Sequence, residues 1–231
     1  MVLSAVPEGT KSGNDLIDRL GGELRSEFLR DGRRASLPHD AELLAQDEPV
    51  RRVYFPVTAV LSLLVGLSSG QRTEYCTVGC EGVVGVSALL NRASSGFARV
   101  QIAGDAWVME PAAFRRLRER HPPLGLAVLG FVMYTIRVAA QGGLCNAFHS
   151  IEQRLARWLL TMHDRARAEE FVMTQEVLAV MLAASRPRVS EAAHRLRGAG
   201  LIDYHSSRLR ILDRKGLEAA ACECYAATRL P

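Results

Sequence analysis

The stretch that decides the fold runs from Phe171 to Leu212, FVMTQEVLAVMLAASRPRVSEAAHRLRGAGLIDYHSSRLRIL. Two short helical patterns stand either side of Ala183-Ala184-Ser185, and two short strand patterns follow, joined by Ser206-Ser207. Thr174 suits the N-cap of the first helix, because its hydroxyl oxygen accepts from an orphan amide. Glu176 then puts negative charge at the positive end of the helix dipole. Val177, Leu178, Met181 and Leu182 share one face. Ser185 is placed to cap the second helix, and Pro187 fits only because it lies in the first turn. Val189, Ala192, Ala193 and Leu196 follow the i, i+3, i+4, i+7 rule and predict its buried stripe. Gly198 and Gly200 end it. Leu201–Tyr204 and Leu209–Leu212 then form a small hairpin. The order helix, tight turn, helix, hairpin predicts a winged helix-turn-helix.

Charge points the same way. From Arg186 to Lys215 there are eight Lys/Arg and three Asp/Glu, a balance of +5 against +4 for the whole chain. Such focusing is the electrostatic footprint of a double-stranded DNA reader. A recognition helix presents its N-terminal residues to base edges in the major groove. Arg186, Arg188, Ser190 and Glu191 occupy that half; Arg suits guanine and Glu can accept from cytosine. Arg195 and Arg197 lie further along, where phosphates are met, and Arg208 stands near the tip of the wing.

Working outward, residues 1–13 read as a flexible N-terminus, with Pro7, Gly9, Ser12 and Gly13 close together. Residues 14–121 open with a helical lead-in (Leu16, Leu20, Leu24, Phe28). Strand signals follow at Val53–Phe55, Val60–Val65, Thr73–Val78 and Arg99–Ile102. Glycines punctuate them, as in a β-sandwich or roll. Residues 122–150 begin with Pro122-Pro123 and continue as a long apolar helix. Leu126, Leu129, Met133, Ile136 and Ala140 recur at a 3,4 spacing along it, a heptad-like seam. That helix needs two coverings, its own domain and the same helix of a second subunit. Gly142-Gly143 and Asn146-Ala147 are candidate hinges. In residues 151–231 a further helix, about 151–168, carries Ile151, Leu155, Trp158, Leu159 and Met162 on one face and leads into the winged helix-turn-helix.

The 231-residue chain is 48% hydrophobic and 23% charged, as soluble globular proteins are. It has no run of about 18 apolar residues, so no membrane span is expected. Its N-terminus, MVLSAVPEGTKSGND, has no signal-peptide h-region. Five cysteines without framework spacing fit a reducing cytoplasm.

VYFPVTAVLSLL, VGCEGVVGVSALL, HSIEQRLARWLL, TQEVLAVMLAASRPRVSEAAHRLRGAGLI and LDRKGLEAAACECY, taken together, resemble the Crp/Fnr superfamily of bacterial transcription factors. This superfamily includes the cyclic-AMP receptor protein and the fumarate-nitrate regulator. The likeness spans about Asn14 to Tyr225. It implies an α+β chain: a cyclic-nucleotide-binding-like β-roll (jelly roll), a long dimerisation helix and a C-terminal winged helix-turn-helix. It further implies a cytoplasmic homodimer on a palindromic promoter site, working with RNA polymerase and catalysing nothing. By the resemblance, Gln175 and Ser185 meet phosphate and Arg186 reads guanine. Pro187 stands where the type member has Glu, and Glu191 where it has a second Arg, so the half-site differs.

The ligand pocket departs further. The family's Gly-Glu pair is Gly85-Val86 here. Gly96 occupies the position of the phosphate-binding Arg, and Ala139 and Ala140 lack the expected hydroxyls. Arg99 is three residues off, on the opposite side of a strand. An unpaired buried phosphate is costly, so cyclic AMP is not the expected effector. A non-standard pocket responsive to a cyclic nucleotide or a redox signal is the alternative. The first cysteine is Cys76, so the N-terminal cysteine set of iron–sulfur members is absent.

Cys76 and Cys80 read as small buried residues, with a redox pair or metal half-site as the other reading. Cys222-x-Cys224 by itself lacks the ligands of a zinc site. Cys145 and His149 are spaced as a nucleophile–base pair would be, but no orienting group or oxyanion motif accompanies them. No cofactor or metal is expected. An enzyme, or a protein-interaction module using the long helix, remains a distant alternative.

Overall fold

The computed structural model describes residues 10–166 and 170–229. The elements in chain order are α1 (Asp15–Asp18), α2 (Gly22–Asp31), β1 (Arg33–Leu37), β2 (Glu42–Leu44), β3 (Val53–Pro56), β4 (Val60–Gly66) and β5 (Arg72–Val78). A 3-10 turn at Val86–Leu90 precedes β6 (Phe97–Ile102) and β7 (Gly104–Met109). Then come α3 (Pro111–Arg120), α4 (Pro122–Phe148), α5 (Ile151–Ala166), β8 (Glu170–Val172), α6 (Gln175–Met181) and α7 (Arg186–Gly198). The chain ends with β9 (Ile202–His205), β10 (Arg208–Ile211), α8 (Arg214–Ala220) and α9 (Cys224–Thr228). Two compact units result: Met1–Ser62 with Val78–Tyr134, and Leu63–Thr77 with Thr135–Pro231.

The roll is all antiparallel where register is defined. β7 sits between β1 and β3, running Arg33↔Val108 to Leu37↔Gly104 on one side and Val53↔Met109 to Pro56↔Ala106 on the other. The second sheet has the order β2-β6-β4-β5. The four strands expected from sequence are present. β1, β2 and β7 carry weaker signals: β1 buries only Leu37, so its polar side chains mask the alternation. The first unit's core is an aromatic chain. Phe28 meets Phe55 edge-on at 4.9 Å and Trp107 at 5.8 Å, and Phe55 meets Phe114 at 5.5 Å. T-shaped geometry aligns ring edges with the negative faces.

The structure departs from the sequence expectations in three places. Residues 1–9 lie outside the described residues, but Ser12 and Gly13 are not loose. Ser12 is buried, and both backbone amides donate to the Asp18 carboxylate at 2.7 and 3.1 Å. The helical lead-in is two helices, with the break at Arg19–Gly21. α4 runs unbroken through Gly142-Gly143 and Asn146-Ala147, so the bend into α5 falls at His149-Ser150.

α4 is also long and apolar enough, by length and composition, to cross a membrane, which the sequence reading did not anticipate. Its Gly, Thr, Gln and Asn residues interrupt the apolar run in sequence without adding charge; Arg137 is its one charged residue. Leu124, Val128 and Phe131 are buried in the first unit and Cys145 in the second. Leu126, Leu129, Met133 and Ile136 are 55–72% exposed. Ala140 is exposed on the same stripe, and Leu144 and Phe148 continue it.

Candidate nucleic-acid interface

The second unit builds α6 and α7 on α5. Ile151, Leu155, Trp158, Leu159 and Met162 are all buried, as their spacing requires. Trp158 Nε1 donates to Glu74 Oε1 at 2.7 Å, which ties the β5 segment to α5. Thr174 caps α6, its hydroxyl oxygen accepting from the Val177 amide at 3.2 Å. The turn places Ala183 at φ 45°. Left-handed backbone costs an L-residue roughly 1–2 kcal/mol, which burial of Met181 and Leu182 before the turn and of Val189 after it offsets. Arg154, itself buried, donates from its guanidinium to the Leu182 carbonyl at the end of α6. There the cation also suits the negative end of the helix dipole.

α7 buries Val189, Ala192, Ala193 and Leu196, the predicted stripe. Its C-terminus is a Schellman motif: Leu201 N donates to Leu196 O at 3.0 Å and Gly200 N to Arg197 O at 2.9 Å, with Gly200 at φ +72°. Ser185 occupies the N-cap but makes no side-chain cap bond, which corrects the sequence expectation. Pro187 holds one of the two positions whose amide an N-cap oxygen could accept from, and it has no N–H. The Ser185 hydroxyl is thereby left exposed at the open end of α7.

The wing forms with its strands one residue closer to the turn than expected. Ser206 and Ser207 both adopt positive φ, 49° and 63°, so they make the whole loop between paired Arg208 and His205. This two-residue geometry matches strand twist. A third strand, β8, which the sequence reading did not separate, pairs with β10 through Arg208↔Val172 and Arg210↔Glu170. Tyr204 Oη donates to the Met173 carbonyl at 2.8 Å, and its pKa is pushed up by burial and by nearby Glu176.

Arg186, Arg188, Glu191, Arg195 and Arg197 are exposed together on α7, and Ser190 lies half-buried among them. Gln175 Nε2 donates to Ser190 Oγ at 3.2 Å, linking the starts of α6 and α7. The charge, however, is less free than its count. Glu176 pairs with Arg186 at 2.6 Å, Glu152 and Glu191 with Arg195 at 2.7 Å each, and Glu170 with Arg208 at 2.5 Å. Three of these acids lie outside the 186–215 window and fold back onto its arginines. Arg188 and Arg197 have no ion-pair partner among the described residues. Exposed pairs of this kind contribute about 0–1 kcal/mol, so a phosphate can displace the carboxylates.

In the first unit, Gly85 has φ +96° and precedes the 3-10 turn that begins at Val86. A side chain there would strain the backbone and press on the Arg52 carbonyl, at 3.0 Å from an added Cβ. Gly96 offers its carbonyl to Ser94 Oγ at 2.6 Å. Arg99 points outward from β6, between inward Ala98 and Val100, and pairs with Asp40 at 3.1 Å.

Cys76 and Cys80 are both buried, and Cys80 Sγ donates to Asp15 Oδ2. Cys145 and His149 do not stand by themselves. Cys222 and Cys224 join them, with all four ligand atoms within 4.8 Å of one another. Sequence spacing did not reveal this, because the two pairs are more than seventy residues apart.

Residues 153–220 match the Crp-like helix-turn-helix domain family. Solved structures match over most of the chain. FixK2 from Bradyrhizobium japonicum is 19% identical with a TM-score of 0.70, covering 83% of this chain and 98% of its own. The c-di-GMP responsive global regulator CLP from Xanthomonas campestris is 14% identical with a TM-score of 0.68, covering 83% and 99%. A CRP-family transcriptional regulator from Thermus thermophilus is 22% identical with a TM-score of 0.66, covering 82% and 96%. No curated protein sequence matches.

Proposed function

The chain carries a Crp-like helix-turn-helix domain on a Crp/Fnr fold, and from that premise we propose that it is a DNA-binding transcription regulator. It acts as a homodimer on a palindromic site, with α7 in the major groove. The observation that carries this reading is the N-terminal half of α7. Arg186, Arg188 and Glu191 stand exposed opposite a fully apolar buried stripe, beside an uncapped Ser185 hydroxyl. Arg186 reads guanine as a bidentate donor. Gln175, Ser185, Arg195, Arg197 and the wing residue Arg208 meet phosphate, and Thr174 keeps its O–H available to donate. Two-fold symmetry comes from α4: the exposed stripe from Leu126 to Ala140 has the heptad spacing of a helix pair.

The effector is not cyclic AMP. Val86 offers no carboxylate to a ribose, Gly96 offers no charge to a phosphate, and Arg99 is engaged by Asp40 on the outer side of its strand. The gel shift that tests this uses the DNA upstream of the protein's own gene, with cyclic AMP, c-di-GMP or no nucleotide added. Specific retention that Arg186→Ala with Arg188→Ala abolishes, while leaving the dimer intact, is expected. Undiminished retention by that variant would place the recognition helix elsewhere. Micromolar cyclic-AMP binding by calorimetry would refute the account of the pocket.

A further inference from the structure

Cys145, at the end of α4, is fully buried; Cys224 is also fully buried and Cys222 is 5% exposed. The three form one cluster, and His149 closes it. Cys145 Sγ lies 3.5 Å from Cys222 Sγ, and Cys224 Sγ lies 3.5 Å from His149 Nδ1. Zinc–sulfur bonds of about 2.3 Å and zinc–nitrogen bonds of about 2.0 Å give tetrahedral ligand–ligand edges of about 3.5–3.8 Å. We propose that Cys145, His149, Cys222 and Cys224 bind one zinc ion, which clips the end of α4 to the C-terminal α9 segment.

The surroundings are those of a metal site. Glu223 Oε2 lies 3.3 Å from His149 Nε2, so a proton held there leaves Nδ1 free to face the sulfurs. This carboxylate–histidine–metal arrangement orients the ring. Gln141 Nε2 donates to Cys224 Sγ at 3.0 Å. N–H···S bonds of this kind stabilise thiolates. Zinc binding releases the three thiol protons to solvent and involves no electron transfer. Three thiolates, a neutral imidazole and Zn(II) leave one net negative charge. Arg154 is buried within electrostatic reach of Cys145 and Cys222, so its guanidinium is placed to compensate that charge. An iron–sulfur cluster, whose irons stand between its thiolates, would spread the sulfurs wider than this. Arg154 also holds the Leu182 carbonyl, so the loaded site supports the start of the α6–α7 turn.

The test uses the full chain, purified from zinc-supplemented cells and dialysed into metal-free buffer. Elemental analysis is expected to give about one zinc per chain. Co(II) replacement is expected to give the intense visible absorption of a tetrahedral thiolate site. His149→Cys keeps four ligands, so it is expected to retain the metal while shifting the cobalt bands. Cys222→Ser with Cys224→Ser is expected to lose it, and Cys76→Ser with Cys80→Ser to keep it. Wild-type protein without zinc or the tetrahedral cobalt signal would overturn the site. So would an unchanged cobalt spectrum in His149→Cys, zinc loss in the Cys76/Cys80 variant, or a Cys145–Cys222 disulfide in protein purified under reducing conditions. Metal content is read without DNA, so this outcome is independent of the recognition helix.

Discussion

Glu176 Oε1 sits 2.6 Å from Arg186 Nη1, spanning the two helices of the helix-turn-helix. The side chain assigned to read a base is therefore held by a carboxylate from the neighbouring helix before DNA arrives. The pair is exposed on both sides, 63% and 58%, so it is worth little in stability and exchanges readily. Glu176→Gln is expected to unfold within about 1 kcal/mol of wild type in urea and to bind non-specific DNA several-fold more tightly. An unchanged affinity for non-specific duplex would mean that the carboxylate does not gate Arg186.

On the proposed reading, Arg186→Ala is expected to lose a bidentate base contact worth about 1–3 kcal/mol, roughly 5- to 150-fold in operator affinity. Arg197→Ala acts differently. Its loss is expected to weaken binding to all sequences alike and to lower the slope of log K against log salt by about 1. Titrations at several salt concentrations on specific and scrambled duplexes separate the two.

Placing a charge in the middle of the α4 stripe tests the dimer. Met133→Lys puts an ammonium where a heptad knob is expected, at a position 58% exposed in the single chain. The folded monomer should tolerate it, and light scattering should report half the wild-type mass. A dimer of wild-type strength would exclude this face as the seam.

Gly200→Ala isolates a backbone effect. Nothing lies within 4 Å of an added Cβ, but φ is +72°. The expected cost is therefore the left-handed penalty of about 1 kcal/mol, with Gly200→Asn losing less than Gly200→Ala. Equal stability of the glycine and alanine proteins in denaturant unfolding would contradict the Schellman ending of α7.

Acid weakens the first unit through Glu27. A hydrogen bond from His121 at 2.7 Å, helped by Arg120, holds this buried carboxyl below its usual pKa. A lowered folded-state pKa contributes stability above the unfolded value, about 4.3, and that stability is lost as pH falls through the folded value. Glu27→Gln should flatten the loss of stability between neutral pH and about pH 3. A variant with the wild-type slope would assign the acid sensitivity elsewhere.

Local periodicity carried much of this molecule. The α7 stripe from Val189 to Leu196, the α5 face from Ile151 to Met162 and the exposed α4 seam are spacings of three and four. A helix converts such spacings directly into faces. β3 to β6 were legible as short runs of β-branched, aromatic and aliphatic residues set between glycine-marked turns. β1 was not, because a strand that buries only Leu37 writes almost no alternation into its sequence. The uncapped Ser185 follows from Pro187 two residues on, but only its hydrogen-bond geometry revealed that the cap is missing.

The helix-turn-helix, its hairpin and the apolar α4 are legible in the chain alone, since each is built from neighbouring residues. Tertiary structure decided which acids meet which arginines, that Arg154 holds the Leu182 carbonyl, and that Cys145 and His149 stand against Cys222 and Cys224. Those contacts join residues from 10 to nearly 80 positions apart. No local period encodes them: they exist only once burial of the apolar faces has brought distant segments together.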